Sequence, residues 1–223
     1  MIISLLQGSH ILQHLLAHPS LSSIYAYTRR DLPNPTASPN LFPITSSPSS
    51  WPSQFPCEPH PQIFFSALGA TRASAGGVEA QRKIDLDLNY DLAKAAKESG
   101  VETYVLISSG GANAGSSMAY LRMKGELEEK VKAIGFKHAV ILRPGLIVGT
   151  RGESRLAEAV LRGIAGALKK VSPALTDFWV VNASVIARAA VVAGMQCVEG
   201  KREGGKEGVW EVEQGDIVRL GKE

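Results

Sequence analysis

Apolar residues along this chain fall into two kinds of pattern, short runs and longer stretches at three- and four-residue spacing, and the two alternate. Residues 2–6, 21–28, 63–68, 101–107 and 139–142 are runs of the length a β-strand uses, and several are continuous enough for a strand covered on both faces. Between the first two runs, Ile11, Leu12, Leu15 and Leu16 mark one buried helix face, with Gly8 and Ser9 at its entrance. Residues 78–100 read as a helix with Leu88, Leu92, Ala95 and Ala96 on its apolar side and Gly100 as its C-cap. Helical spacing returns over residues 118–134, ended by Gly135, and again over 157–168 and 185–192. Residues 146–148 extend the apolar pattern beyond the Pro144–Gly145 turn, and 209–212 read as a small edge strand. This alternation predicts an α/β fold: a mostly parallel sheet with flanking helices.

Two stretches interrupt the rhythm. Residues 33–61 are dense in proline and serine, which argues against an interior helix or central strand. They are expected to form a long surface loop with one short edge strand near residues 41–44. Gly69 ends the strand before it, and residues 71–77 read as a mobile loop. At 223 residues the chain is long enough for one sizeable core and too short for two large domains, so residues 1–223 are read as a single domain.

Composition narrows the function classes. Twenty-four Lys and Arg stand against 21 Asp and Glu, a net charge of +3, and the basic residues are interspersed with glutamates. With aromatics at 6%, no specific nucleic-acid partner is expected. Cys57 and Cys197 do not make a disulfide framework, and the i,i+4 series His10, His14, His18 lacks an acidic partner in its helix, so no metal site is expected. No run of 18 apolar residues exists, and the first residues lack the basic region and cleavage pattern of a secretory signal.

The sharpest chemical feature is Tyr120-x-x-x-Lys124 near the start of a helix. The i,i+4 spacing puts phenol and ammonium on one side, where the ammonium can ease proton loss from Tyr120 and Tyr120 can exchange a proton with a carbonyl oxygen. Ser108, Ser109, Gly110 and Gly111 follow a strand end, where Ser109 is the candidate carbonyl-orienting hydroxyl and strand-end capping is the competing role of both serines. Arg29 and Arg30 follow the second strand, where guanidinium groups favour the extra phosphate of NADP over the ribose diol of NAD. Leu68 and Gly69 would bring backbone close to a cofactor, and Thr71 and Arg72 either touch its phosphate or simply form a turn.

The segments FFSALGATRASAGG, QRKIDLDLN, YVLISSGGAN, AYLRMKGELEEKV and VILRPGLIVG resemble the fungal found-in-mitochondrial-proteome protein 52 family, relatives of human Tat-interactive protein 2 among the atypical short-chain dehydrogenases/reductases. That resemblance implies a Rossmann-like fold, a dinucleotide site that includes Lys124, Tyr120 and Lys124 as the catalytic pair, and peripheral attachment to the cytosolic side of the mitochondrial outer membrane. The expected activity is an NADP-dependent oxidoreductase acting on a small carbonyl or alcohol. The alternative is a noncatalytic nucleotide sensor or scaffold with a protein partner at the mitochondrial surface. The sequence departs from the family at two points. Gly8 matches only the last glycine of the nucleotide-binding turn, so the N-terminal motif is incomplete and the missing strand and turn are expected to be encoded upstream. Gly110 stands where a typical enzyme of this type has its serine.

Overall fold

The computed structural model describes residues 2–3, 6–32, 38–148, 180–202 and 205–222. The helix expected over residues 157–168 lies outside them. Seven strands form one parallel sheet, β1 (Ile2–Ile3), β2 (Ile24–Thr28), β3 (Leu41–Thr45), β4 (Ile63–Ser66), β5 (Thr103–Ile107), β6 (His138–Arg143) and β9 (Gly208–Glu213), in the order β3-β2-β1-β4-β5-β6-β9. A separate parallel pair joins β7 (Leu146–Val148) to β8 (Val180–Asn182). The chain is thus a Rossmann-like α/β fold, and the order of its strands reverses between β1 and β4. Ligands of such sheets sit outside the carboxyl ends of the strands at that reversal.

Alternation along the central strands divides the core into two layers. Ile63, Phe65, Val105, Ile107, Val140 and Leu142 face one side, where they meet α1 (Leu6–Leu16) and α6 (Ala183–Val198). Phe64, Tyr104, Leu106, Ala139 and Ile141 face the other, where α4 (Asn89–Glu98) and α5 (Ala119–Ile134) cover them. Because both faces are buried, these strands carry no polar alternation. Gly194 permits the close approach of α6: a Cβ there would come within 2.7 Å of the Ile63 side chain and 3.0 Å of Val105. Asn182 caps α6 by accepting from the Ser184 amide at 3.1 Å. The short α7 (Gln214–Leu220) closes the chain behind β9.

Several local expectations need correction. Gly8 is not at the entrance of the first helix but is its third residue, and it is buried there. Residues 71–77 are not a bare loop: α2 (Arg72–Ala75) forms a turn closed by a reciprocal cap between Thr71 and Ser74. Where described, residues 38–61 hold β3, paired along its full length with β2, and two 3₁₀ turns, Pro48–Ser50 and Pro52–Gln54. Pro43 fits β3 because one side of an edge strand needs no amide donor. Two aromatics pin this stretch to the core, Trp51 at 2% exposure and Phe55 at 7%. Tyr27 stacks on Trp51 and donates to its carbonyl oxygen at 2.8 Å.

Candidate functional site

Apart from Gly8, which lies inside α1, the expected site residues collect at the carboxyl ends of β2, β4 and β5 and on the first turns of α5. Arg29 and Arg30 follow β2, are exposed and, with Tyr27, Thr28, Asp31, Leu32 and Trp51, line a depression of about 340 Å³. Leu68 and Gly69 follow β4; Leu68 is buried and Gly69 partly open. A Cβ on Gly69 would meet the Asp85 carboxylate at 3.7 Å, ordinary van der Waals contact, among the described residues.

Lys124 is the best-defined member. Only 4% exposed, it donates from Nζ to the Ile107 carbonyl oxygen at 3.2 Å, across from the end of β5. An ammonium has three protons to give, and this bond takes one. Tyr120, one turn earlier on α5, is 40% exposed, and no hydrogen bond among the described residues joins it to Lys124 or Ser109. The helix therefore puts the pair on one side without closing them together.

The two serines behave differently. Ser108 is buried and donates to Glu128 Oε1 at 2.5 Å. Glu128 in turn receives Arg143 through Nε and Nη2, and Arg143 reaches on to Glu211 and Glu213 of β9. The Glu128 carboxylate holds the Arg143 guanidinium above its ordinary proton affinity. Ser108 thus ties the end of β5 into a network joining α5, β6 and β9 through its side chain, a different role from the strand-end cap expected of it. Ser109 is half-buried, and its hydroxyl makes one long contact, 3.4 Å, to the carbonyl of Gly110. Next to it, a Cβ on Gly110 would come within 3.1 Å of the Pro144 carbonyl oxygen, to which the Gly110 amide donates at 2.7 Å. A side chain at the position of the usual serine would therefore crowd the backbone of the turn after β6.

The loop bearing these residues is seated directly on α5. The Asn113 amide donates to the Leu121 carbonyl at 3.1 Å, and a Cβ on Gly125 would fall 2.2 Å from the backbone of Asn113 and Ala114. The residue after Lys124 must be glycine for this loop to lie where it does.

Sequence reasoning missed a second group beside the loop after β4. Gln81, Asp85 and Asn89 are all buried. Asp85 Oδ1 accepts from the Ala70 amide at 2.6 Å, and Gln81 Nε2 donates to the Ala70 carbonyl at 2.8 Å and to Asp85 Oδ2 at 3.2 Å. Asn89 donates to the Leu68 carbonyl at 3.2 Å and accepts from Ser66. Burial pushes the Asp85 carboxyl above the usual carboxylate range, against the opposing pull of the Lys124 ammonium. Polar residues recurring every fourth position on a helix face that covers a strand were the available signal.

Comparison with known proteins places these features in context. The HIM1 family model matches residues 46–172. Protein fmp52-1, mitochondrial, of Aspergillus terreus is 51% identical over 220 residues, covering 97% of this chain and 94% of that protein. Protein fmp-52, mitochondrial, of Neurospora crassa is 43% identical over 225 residues, covering 98% and 92%. Among solved structures, MoeE5 in complex with UDP-glucose and NAD aligns with a TM-score of 0.64 at 17% identity, covering 93% of this chain and 72% of that one. The UDP-glucuronic acid 4-epimerase from Bacillus cereus in complex with NAD aligns with a TM-score of 0.63 at 13% identity, covering 92% and 73%. At such identities the structural likeness shows the fold.

Proposed function

The chain belongs to the HIM1 family and is matched along nearly its whole length by fungal fmp52 proteins, and from that premise we propose that it is a mitochondrial, dinucleotide-binding oxidoreductase of the short-chain dehydrogenase/reductase type. The observation that carries this reading is the buried Lys124 ammonium at the carboxyl edge of the sheet, with protons to spare and Tyr120 one turn away. The residues suit a dinucleotide: a side-chain-free backbone at Gly69, an ammonium at Lys124 for a ribose, and two exposed guanidinium groups at the end of β2. Arg29 and Arg30 make NADP the cofactor of choice. The NAD bound in the structurally similar enzymes supports a dinucleotide in general.

The bound cofactor would supply or accept hydride at a small carbonyl or alcohol. Tyr120 then gives a proton to the carbonyl oxygen or takes one in reverse. Ser109 is the remaining hydroxyl available to orient the carbonyl. With NADPH and a panel of small aldehydes and ketones, Tyr120→Phe is expected to lower turnover about a hundredfold or more while leaving cofactor affinity intact. Turnover equal to that of the wild type would remove Tyr120 from the mechanism.

A second reading has its own support. The exposed Tyr120, without a hydrogen bond to Lys124 or Ser109 among the described residues, and the backbone crowding the serine position at Gly110 also suit a noncatalytic nucleotide sensor or scaffold with a protein partner at the mitochondrial surface. Cofactor binding without turnover on any of the panel would favour it.

We place the protein on the cytosolic side of the mitochondrial outer membrane as a peripheral component. The relatives carry the word mitochondrial in their names, and no helix among the described residues is long and apolar enough to cross a membrane. Alkaline carbonate is expected to release it from isolated mitochondria, and retention in the membrane pellet would contradict peripheral attachment.

A further inference from the structure

The helical segment facing β4 uses its buried side in an expensive way. Gln81, Asp85 and Asn89 are 5%, 1% and 0% exposed, where apolar residues would have covered the strand without desolvating a carboxylate. The segment is also π-helical over Lys83–Leu88, between α3 (Val78–Arg82) and α4, and single π turns frequently mark functional sites. Asp85 sits within that turn.

What this arrangement holds is the loop after β4. Leu68 and Ala70 offer their backbone groups inward, and the Asn89, Gln81 and Asp85 side chains bind the Leu68 carbonyl, the Ala70 carbonyl and the Ala70 amide. The same Asp85 carboxylate lies within electrostatic reach of Lys124 on α5. Glu128, one turn further along α5, is already committed to Arg143 and Ser108. Asp85 thus links the loop after β4, which it holds by hydrogen bond, to the surroundings of the buried ammonium.

We propose that Asp85 is a positioning residue of the dinucleotide cleft: one carboxylate fixes the loop after β4 through the Ala70 amide and balances the charge of Lys124, so that the two walls are set relative to each other before a dinucleotide enters. This rests on the dinucleotide reading above. Neither Asp85 nor its partners Gln81 and Asn89 touches the substrate; they act through Lys124 and the backbone.

The test is a double-mutant cycle read by NADPH fluorescence titration of the full chain. Asp85→Asn keeps an acceptor oxygen for the Ala70 amide and removes the charge together with the acceptor that Gln81 Nε2 uses; it should still fold by circular dichroism and bind NADPH about tenfold more weakly. Lys124→Met should also weaken binding, and the double variant should be no weaker than Lys124→Met alone, because the charge acts through that ammonium. Amide hydrogen exchange gives a second readout: Ala70 should be protected in the wild type and in Asp85→Asn, and should exchange faster in Asp85→Ala. Wild-type binding with losses that multiply in the double variant overturns the proposal alone. Ala70 exchanging equally fast in the wild type and Asp85→Ala does the same. Absence of any dinucleotide binding by the wild type overturns the dinucleotide reading and this proposal together.

Discussion

Glycines set the shape of the site as much as its reactive groups do. At Gly125 any side chain would overlap the backbone of Asn113 and Ala114, and the far end of that same loop carries Ser109 and Gly110. Gly125→Ala should therefore destabilise the protein by about 1–3 kcal/mol, the usual range for overpacking, and displace the loop from α5. Urea unfolding measures the first effect. NADPH titration measures the second, where weaker binding by the folded variant is expected because Lys124 is the adjacent residue. A variant with wild-type stability and affinity would mean that the loop does not need its seat on α5. Of the site at this scale, Tyr120 and Lys124 were legible because chemistry and helical spacing coincide in Tyr-x-x-x-Lys. Asp85 was not, because a carboxylate between Ile84 and Leu86 reads as the polar side of a surface helix until the loop it binds is known.

Secondary elements were most legible where burial is symmetrical. Strands β4, β5 and β6 are covered on both faces, which forces the continuous apolar runs that identify them. Edge strand β3 was found despite Pro43, since a proline is admissible where one side of the ladder is open. Helix α6 runs over Ala183–Val198, beyond the 185–192 expected, because it is buried nearly all round and its small residues show no polar face to mark its length. The proline-rich stretch before β4 read as surface, yet Trp51 and Phe55 anchor it. Their burial depends on Tyr27 and Phe64, partners distant in sequence that local composition does not reveal. The π turn was likewise invisible, since its departure from α-helical spacing is one residue deep and is stabilised by the β4 loop.

At the scale of the whole molecule, the reversal of strand order between β1 and β4 concentrates unlike groups along one edge of the sheet. The β2 end contributes Arg29 and Arg30, the β4 end contributes bare backbone at Gly69, and α5 contributes Lys124. Together they line an edge suited to an anionic dinucleotide, and on the proposed reading the guanidinium pair selects NADP over NAD. The most direct measurement is a parallel titration of the wild type and an Arg29→Ala/Arg30→Ala variant with NADPH and NADH, followed by cofactor fluorescence. The wild type is expected to bind NADPH more tightly than NADH. The variant should lose about tenfold or more of its NADPH affinity with little change for NADH. Binding of neither nucleotide by the folded wild type, or equal losses for both in the variant, would contradict the account.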